Sequence, residues 1–382
     1  MDKLKKSLKS DGPLIRICIR IIGSIIFLMD SLVPKKNHTI LFLSYEGKKI
    51  SDSPRVIFDY LQAKQDDYQY IWAVNPDVDT SDVAVKKSVR IVNAKSPLYF
   101  WYLFRAKVWI ANCSAERLFP VNYNKHVYVQ SWHGIPLKKL GEDEPNLNYL
   151  TKSWYKRARF DLLTVESDYD KRVFQKIFPA TINAVVMGLP RYSQNHFGTS
   201  SAPKASLNNA KKTIMFAPTF REYNVASDGK IVETQLLTSK NMEALNSRYN
   251  VLYRGHYFTA KVTSSSLIDV SSIEDLPSLL NRVDILISDY SSIVFDAAVQ
   301  HVPVVLYTPD RVQYLKYRGM YVDPQDLGLP IFENSDELQD YLLSLDDLEE
   351  LKKISTSVFQ RFLYQGNRED TLNEIANLIG GR

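Results

Sequence analysis

The sequence predicts an α/β protein with two doubly wound domains, each built on a parallel sheet, that face each other across a cleft. Three observations predict this fold class. Short, continuously apolar segments alternate with helical segments, which is the pattern of parallel strands covered on both faces. A polar stretch at residues 193–212 interrupts the alternation and is typical of a linker. The 382 residues provide enough chain for two to three domains of roughly 100–200 residues each.

The N-terminal segment, residues 1–36, is predicted to form a helix that is both basic and apolar. Residues 1–20 carry six basic and two acidic side chains, and an apolar run at 21–29 follows, diluted only by Gly23 and Ser24. The run is far shorter than the ~20 residues that span a bilayer, and no signal-peptide cleavage site follows it. Two interpretations stay open: an amphipathic helix on an anionic membrane face, or a helix whose apolar side packs on the protein itself.

The two predicted domains each contain a series of strands. In the first domain, residues 37–198, strand-like runs occupy 38–45, 70–74, 89–92, 107–113, 126–132, 161–165 and 184–187. A linker at 199–212 leads to the second domain, 213–382, with runs at 213–217, 249–253, 284–287 and 302–307. Helical patterns lie between these runs and continue from residue 335 almost to the end. Ligands of such sheets bind at the carboxyl ends of the strands, so the functional residues are expected there.

Composition excludes several classes of protein. The net charge of +5 is too small to indicate a nucleic-acid-binding protein. Cys18 and Cys113 are too few for a disulfide framework and lack metal-ligand spacing, so no structural zinc site is expected and a reducing cytoplasm is the expected location. No metal-binding residue and no cofactor are predicted. The absence of a P-loop and of a GxGxxG motif in the sequence disfavours an ATPase or a dinucleotide-dependent dehydrogenase.

His133 follows an apolar strand directly, in the segment Gln-Ser-Trp-His-Gly-Ile-Pro-Leu-Lys-Lys at 130–139. Gly134 and Pro136 make the chain turn there, which places the imidazole at the carboxyl end of the strand. Because histidine titrates near neutral pH, this residue is a candidate general base. The alternative is a histidine that only hydrogen-bonds a turn.

Two further strand ends carry groups suited to phosphate oxygens. Arg254 and His256 are two residues apart after the strand at 249–253, so their side chains would project to the same side of an extended chain. Together they could bind an anion. Ser291 and Ser292 are predicted at the N-terminus of a helix, where free amides attract anions, and Asp296 lies one turn further on. The alternatives are a surface arginine with a capping histidine, and a plain serine cap.

Smaller signals stand at other strand ends. Gly-Leu-Pro-Arg at 188–191 and Ala-Pro-Thr-Phe-Arg at 217–221 each offer backbone donors and a cation to a phosphate, or serve only as turns. Asp168 and Asp170 could be taken for a metal-binding pair, but they open a helical stretch and are interpreted as a cap.

Five motifs taken together closely resemble one protein family. They are Ser-Trp-His-Gly-Ile-Pro-Leu-Lys at 131–138, Gly-Leu-Pro-Arg at 188–191, Ala-Pro-Thr-Phe-Arg at 217–221, Arg-Gly-His-Tyr at 254–257 and Ser-Asp-Tyr-Ser-Ser-Ile-Val-Phe-Asp at 288–296. Their order and spacing resemble the CDP-glycerol glycerophosphotransferase family of bacterial teichoic acid synthesis, over roughly residues 38–310. The first and last motifs are specific as a pair.

The resemblance implies a GT-B-like fold of two Rossmann-like domains, with the acceptor on the first domain and CDP-glycerol on the second. It implies transfer of glycerol phosphate from CDP-glycerol to a hydroxyl group of an undecaprenyl-diphosphate-linked saccharide, with release of CMP. It also implies peripheral attachment to the cytoplasmic face of the bacterial cell membrane, without nucleic acid as a partner. Self-association into a homo-oligomer is left open.

The resemblance also implies a set of site residues. His133 would be the general base and His256 would act at the phosphates. Contacts to CDP-glycerol would come from His133, Gly134, Ile135, Pro136, Leu137, Arg191, Pro218, Thr219, Arg254, Gly255, His256, Ser291, Ser292 and Asp296. The family often has threonine where Ile135 stands, so this chain lacks one hydroxyl group of the motif.

A second basic segment favours membrane contact. Leu147, Leu150, Trp154 and Ala158 recur at helical spacing among several basic residues, and a basic helix with a tryptophan suits an anionic lipid surface. The residues predicted to contact the membrane are Arg16, Arg20, Trp154, Lys156 and Arg157. The alternative is a surface helix packed on the core.

Three other functions stay open at this point. A ribitolphosphotransferase would use CDP-ribitol, and an ordinary GT-B glycosyltransferase would use a nucleotide-sugar and release a nucleoside diphosphate. A non-catalytic scaffold of a polymer-assembly complex would need neither His133 nor His256. Because the two domains occupy nearly the whole chain, the sequence favours a primase that adds the first unit, or a capsule-type transferase.

Overall fold

The structure, a computed structural model, describes residues 12–64, 67–145, 147–181, 183–193, 207–219, 221, 223, 237–255, 267–273 and 276–381. The chain divides into two compact units. The first unit comprises Met1–His133, Leu140–His196 and Tyr364–Arg382, and the second unit comprises Gly134–Lys139 and Phe197–Leu363.

A seven-stranded parallel sheet forms the centre of the first unit, in the order β3-β2-β1-β4-β5-β6-β7. Alternate residues of β1 enter two apolar clusters, Leu41 and Leu43 on one face and Ile40 and Phe42 on the other. Both faces are therefore buried, as the apolar runs predict. The strands are β1 (Lys36–Leu43), β2 (Gln69–Val74), β3 (Val89–Asn93), β4 (Ala106–Ala111), β5 (Val127–Gln130), β6 (Leu162–Val165) and β7 (Ala184–Val186).

The helices of the first unit are α1 (Pro13–Leu32), α2 (Asp52–Ala63), α3 (Ser81–Ala84), α4 (Leu98–Arg105), α5 (Tyr149–Arg157) and α6 (Asp168–Ile177). The start of α6 is a capping box, in which the Ser167 side chain and the Asp170 carboxylate satisfy each other's backbone amides. Asp170 is therefore part of a cap, as predicted, and among the described residues no three His, Cys, Asp or Glu side chains cluster as metal ligands.

A six-stranded parallel sheet forms the centre of the second unit, in the order β10-β9-β8-β11-β12-β13. Its strands are β8 (Lys212–Ala217), β9 (Tyr249–Tyr253), β10 (Ile268–Asp269), β11 (Ile285–Ser288), β12 (Val304–Tyr307) and β13 (Ile331–Phe332). The helices are α7 (Ser239–Arg248), α8 (Leu276–Leu280), α9 (Ile293–Val299), α10 (Arg311–Tyr317), α11 (Ser335–Ser344) and α12 (Glu349–Gln360).

The predicted fold class, two doubly wound parallel sheets, is confirmed, and each predicted strand segment overlaps a strand. The edge strands β10 and β13 were not predicted, because two residues are too few to show a period. The polar linker prediction at 199–212 falls mostly outside the described residues.

The division into units differs from the predicted boundaries at two places. The last helix, α13 (Arg368–Gly380), belongs to the first unit, because Leu372, Ile375 and Ile379 pack in the same apolar cluster as β1 and β2. The segment Gly134–Lys139 belongs to the second unit, where Tyr321 N–H donates to the Leu137 carbonyl at 2.7 Å and Lys139 N–H donates to the Gly319 carbonyl at 3.1 Å.

Helix α1 packs on the first unit with one face. Ile19, Gly23 and Asp30 are buried, and a Cβ atom at position 23 would lie 2.8 Å from Cγ of Pro120, so only glycine permits this close approach. The buried Asp30 carboxylate accepts hydrogen bonds from Lys35, His126 and the Asn122 amide. Within the described part of the chain, no helix is both long enough and apolar enough to cross a bilayer.

Each sheet has one point where the strand order reverses. In the first sheet it lies between β1 and β4, and in the second it lies between β8 and β11. Such switch points open a crevice at the carboxyl ends of the strands, where ligands of doubly wound sheets bind. The loops that follow these strands are therefore the places to look for a site.

Candidate active site

His133 lies beside the switch point of the first sheet, just after β5. The chain turns sharply there, with φ of +53° at Trp132 and +147° at Gly134, and the second of these values is one that glycine tolerates best. The His133 side chain reaches solvent, and the Trp132 ring stacks on it with centroids 4.8 Å apart. The turn therefore holds the imidazole at the carboxyl edge of the sheet, as predicted.

The imidazole of His133 is oriented by the loop after β4. Its Nδ1 lies 2.7 Å from the carbonyl oxygen of Asn112. A carbonyl oxygen only accepts hydrogen bonds, so Nδ1 carries the proton and the neutral ring keeps a lone pair on Nε2. Desolvation by the surrounding protein lowers the pKa of His133 below its ordinary value, although the bond to Asn112 and the charge of Asp52 act in the opposite direction. The ring is thus suited to accept a proton at Nε2.

A buried acidic residue that the sequence analysis missed stands next to this histidine. Asp52, at the start of α2, accepts hydrogen bonds from the Tyr45 hydroxyl and, at 3.1 Å, from Nη1 of Arg191. Burial alone would raise the pKa of Asp52, but Arg191 and Tyr45 outweigh it, and the pKa is lowered. The carboxylate is therefore charged at neutral pH.

Arg191 lies in the short 3-10 helix Pro190–Tyr192 that follows β7. Its guanidinium donates to Asp52, to the His133 carbonyl oxygen at 3.3 Å and to the Tyr192 hydroxyl at 2.8 Å. The predicted cation is thus brought next to His133, where it bonds the histidine main chain.

Backbone strain is concentrated in the same place. Among the described residues, eight that are not glycine have positive φ, and three of these, Tyr45, Asp52 and Trp132, interact with the His133 ring. Such conformations cost about 1–3 kcal/mol each and persist where the surrounding structure enforces them. Their grouping at one strand edge is typical of a functional site.

The predicted residues of the second unit also gather at the carboxyl ends of its strands. Pro218 and Thr219 follow β8, Arg254 and Gly255 follow β9, and Ser291 follows β11. The Thr219 amide donates to Asp289 at 2.8 Å, while its buried Oγ1 has no hydrogen-bond partner among the described residues. An unsatisfied buried hydroxyl group is costly without a partner, and a ligand atom is one such partner.

Arg254 and Gly255 are held by the loop after β10. Nη1 of Arg254 donates to the carbonyl oxygens of Val270 at 3.3 Å and Ile273 at 2.8 Å, and the Gly255 amide donates to Ser271 Oγ at 2.8 Å. The guanidinium is thereby held in place at the end of β9. His256 lies outside the described residues.

The serines after β11 stand at the N-terminus of α9, as predicted. Ser292 is the N-cap, its side chain makes no capping hydrogen bond, and Ser291 Oγ accepts from the Ile293 amide at 3.3 Å. Asp296 is half-buried in the first turn.

The first predicted motif continues into the second unit as Gly134–Lys139. Ile135 and Leu137 are buried there, and the Leu137 carbonyl oxygen is occupied by the Tyr321 amide, so their apolar side chains anchor the segment in the second unit. Nζ of Lys138 lies 5.9 Å from the centroid of the Tyr314 ring.

Arg221, considered above as a cation for a phosphate, serves a different purpose. Its guanidinium pairs with Asp289 at 2.8 Å and with Asp310 at 2.6 Å, and it lies against the rings of Tyr290 and Tyr314. The side chain is 1% exposed. It therefore joins the loops after β8, β11 and β12 as a buried structural ion pair.

The residues predicted to contact a membrane divide into two groups. Arg16, Arg20 and Lys156 are exposed. The prediction is wrong for Trp154, which is 3% exposed and donates through Nε1 to the buried Glu116. Arg157 is half-buried and donates to the Leu118 carbonyl oxygen at 2.9 Å. Helix α5 thus packs this side on the core, because its tryptophan finds a hydrogen-bond partner inside the protein.

Comparison with known proteins decides the family. The family model described as CDP-Glycerol:Poly(glycerophosphate) glycerophosphotransferase matches residues 25–379.

The chain belongs to this family.

The predicted resemblance and the predicted class of enzyme, a CDP-glycerol glycerophosphotransferase, are therefore confirmed. The chain is 29% identical to the teichoic acid poly(glycerol phosphate) polymerase of Bacillus spizizenii, over 94% of this chain and 96% of that one. It is 31% identical to the teichoic acid glycerol-phosphate transferase of Staphylococcus aureus, over 88% and 91% of the two chains.

Solved structures of the wall teichoic acid polymerase TagF share the fold. One of them superposes with a TM-score of 0.76 at 28% identity and covers 94% of this chain and 92% of that chain. An asparagine-for-histidine variant of the same polymerase, soaked with CDP-glycerol, gives a TM-score of 0.76 at 27% identity, with the same coverage of both chains. The predicted GT-B-like fold of two Rossmann-like units is thereby confirmed.

Proposed function

We propose that the protein transfers glycerol phosphate from CDP-glycerol to a hydroxyl group of an undecaprenyl-diphosphate-linked saccharide and releases CMP. The observation that carries the proposal is the orientation of His133, whose Nδ1 is bonded to Asn112 and whose Nε2 is left as the basic atom. Family membership and the CDP-glycerol soaked into a TagF variant support the choice of donor.

In the proposed reaction, His133 Nε2 takes the proton of the acceptor hydroxyl group as its oxygen attacks the β-phosphorus of CDP-glycerol. The bond between that phosphorus and the oxygen bridging to the α-phosphorus breaks, and CMP leaves with the bonding electrons. Phosphoryl transfer of this kind needs an aligned nucleophile and stabilised phosphate charge more than covalent help. General base catalysis commonly contributes about 10²–10⁴-fold.

The second unit is proposed to hold the donor. Arg254 and His256 are assigned to the phosphate oxygens, since a guanidinium and an imidazole both donate to anions. The Thr219 hydroxyl group and those of Ser291 and Ser292 are assigned to the donor as further hydrogen-bonding groups. The remaining contacts proposed in this unit are Gly134, Ile135, Pro136, Leu137, Pro218, Gly255 and Asp296. Arg191 is proposed to act from the first unit.

Replacing His133 tests the proposal most simply. We expect His133→Ala to lower the rate of CMP release by about 10²–10⁴-fold while binding CDP-glycerol nearly as well as the unaltered protein, by titration calorimetry. His38→Ala is the matched control, because His38 is an exposed histidine at the opposite end of β1. Full turnover of His133→Ala in the presence of acceptor would remove His133 from the mechanism.

We also propose that α1 attaches the protein to the cytoplasmic face of the membrane as a peripheral anchor. Its outer face carries an apolar stripe at helical spacing, and each residue of the stripe is more than half exposed: Leu14, Ile17, Ile21, Ile25, Leu28 and Leu32. The exposed Arg16 and Arg20 lie on the same helix. Apolar area together with basic charge is what binds an amphipathic helix to anionic lipid.

A further inference from the structure

Beside His133 lies a chain of hydrogen-bonded polar groups that the sequence analysis did not predict. The Tyr45 hydroxyl donates to Oδ2 of Asp52, and Nη1 of Arg191 donates to the same oxygen. Arg191 also donates to the main-chain carbonyl of His133. All four residues belong to the first unit, so the chain runs without interruption from a buried carboxylate to the histidine backbone.

Several elements fix the position of these hydrogen-bonded groups. Tyr45 and Asp52 both have positive φ, at 46° and 66°. The Arg191 amide donates to Ser53 Oγ at 3.2 Å, which fixes the start of α2 against the 3-10 helix Pro190–Tyr192. Asp52 is 3% exposed and Arg191 is 12% exposed. A buried ion pair gains little net stability because desolvation offsets its attraction, and the strained backbone costs further free energy. A role at the neighbouring His133 therefore explains the presence of this pair better than a role in stability.

We propose that Asp52 and Tyr45 are positioning residues for the transfer reaction: they hold Arg191 so that it fixes the His133 main chain, and the Asp52 carboxylate balances the Arg191 charge next to the imidazole. The inference rests on the proposed role of His133 as the base. It adds two residues that act through others and touch no reacting atom.

The charges around His133 determine what the loss of Asp52 would do. Within the part of the chain that the structure describes, the charged groups that interact with the imidazole are the Asp52 carboxylate and the Arg191 guanidinium. Of the other groups on the adjoining loops, Glu46 pairs with Arg117 at 3.7 Å, and burial raises the pKa of the Cys113 thiol, which stays neutral. Removing the Asp52 charge would leave the Arg191 cation unbalanced beside the ring. The pKa of His133 would then fall further, and a weaker base would accept the proton less readily.

Asp52→Asn keeps the shape and an acceptor oxygen while it removes the charge. We expect kcat to fall about tenfold or more at neutral pH, the affinity for CDP-glycerol to stay within about threefold, and the acid limb of the pH profile to move to lower pH. Asp52→Glu should restore part of kcat, and Tyr45→Phe should show a smaller loss in the same direction. Asp59→Asn is the matched control, since Asp59 lies on the same helix and pairs with Arg55 and Lys86.

An NMR titration of the His133 ring in each variant separates this inference from the proposed function. A lower pKa of His133 in Asp52→Asn supports the coupling whether or not the protein is active. If the pKa of His133 and the pH profile are unchanged and only the melting temperature falls, Asp52 is merely structural and the inference is overturned. If instead His133→Ala turns over fully, the proposed role of His133 as the general base fails, while the titration still reports on the coupling between Asp52 and the ring. Should Asp52→Asn not fold, Tyr45→Phe provides the same test.

Discussion

At the scale of single residues, the protonation of His133 sets the pH range of the proposed reaction. The Asn112 carbonyl fixes the proton on Nδ1, so catalysis requires that Nε2 be unprotonated. Desolvation lowers the pKa of His133, and the neutral ring therefore persists to a lower pH than in a free histidine, whose pKa is about 6.5.

This predicts a one-sided loss of activity in acid. We expect kcat/KM for CMP release to be level near neutral pH and to fall, with the slope of a single proton, only below a pH of about 6.5. The measurement is the initial rate of CMP release from about pH 5 to about pH 8. An acid limb centred above neutrality would show that another group controls the rate.

Residue types at strand ends were predictable from the sequence, whereas their partners were not. His133 and Arg254 directly follow apolar runs, and Ser291 comes three residues after β11, so their place at the sheet edge follows from the fold class. Asp52 opens a helix and looks like an ordinary first-turn acid, and its contact with Arg191, 139 residues away, leaves no local pattern. Arg221 shows the converse, because its place after β8 was predictable but its inward ion pair with Asp289 was not.

At the scale of elements, α1 packs one face on the first unit, as one interpretation of a basic, apolar helix predicts, while membrane contact through its exposed face stays a prediction. Its inner face is held to the first unit by Asp30, His126 and Lys35, and its outer face is exposed. Periodicity predicts that such a helix has an apolar face. It does not predict that apolar residues lie on both faces of the helix, one part packed on the protein and the other part exposed.

Vesicle sedimentation tests the proposed anchor. We expect the protein to sediment with anionic phosphatidylglycerol vesicles at low ionic strength. We expect the double variant Ile21→Asp, Ile25→Asp to bind the vesicles at least about tenfold more weakly, because a fully buried isoleucine contributes about 1.5–3 kcal/mol. Val312→Asp is the control, because Val312 is 71% exposed on α10 of the second unit. No binding by the unaltered protein, or equal binding by the double variant, would refute the anchor.

At the scale of the whole molecule, the return of the C-terminal helix to the first unit could not be predicted from its sequence. The helical pattern of α13 shows that it has an apolar face but not which sheet that face covers. The structure supplies the reason: buried Glu166 accepts hydrogen bonds from the Leu189 and Tyr364 amides and from Arg368. This carboxylate ties the C-terminal segment to the loop that carries Arg191. The two sheets themselves, by contrast, follow directly from continuous apolar runs.

The central claim concerns the group that is moved, and product analysis tests it most directly. The purified protein would be incubated with an undecaprenyl-diphosphate-linked saccharide and, in separate reactions, CDP-glycerol, CDP-ribitol or a nucleotide-sugar. The mass of the lipid product would be measured by mass spectrometry and the released nucleotide identified by chromatography, with His133→Ala as the control. The account predicts that, of the three donors, only CDP-glycerol reacts: the lipid gains glycerol phosphate, and CMP appears in equal amount. Release of a nucleoside diphosphate, or growth of the lipid only with CDP-ribitol or a nucleotide-sugar, would contradict it.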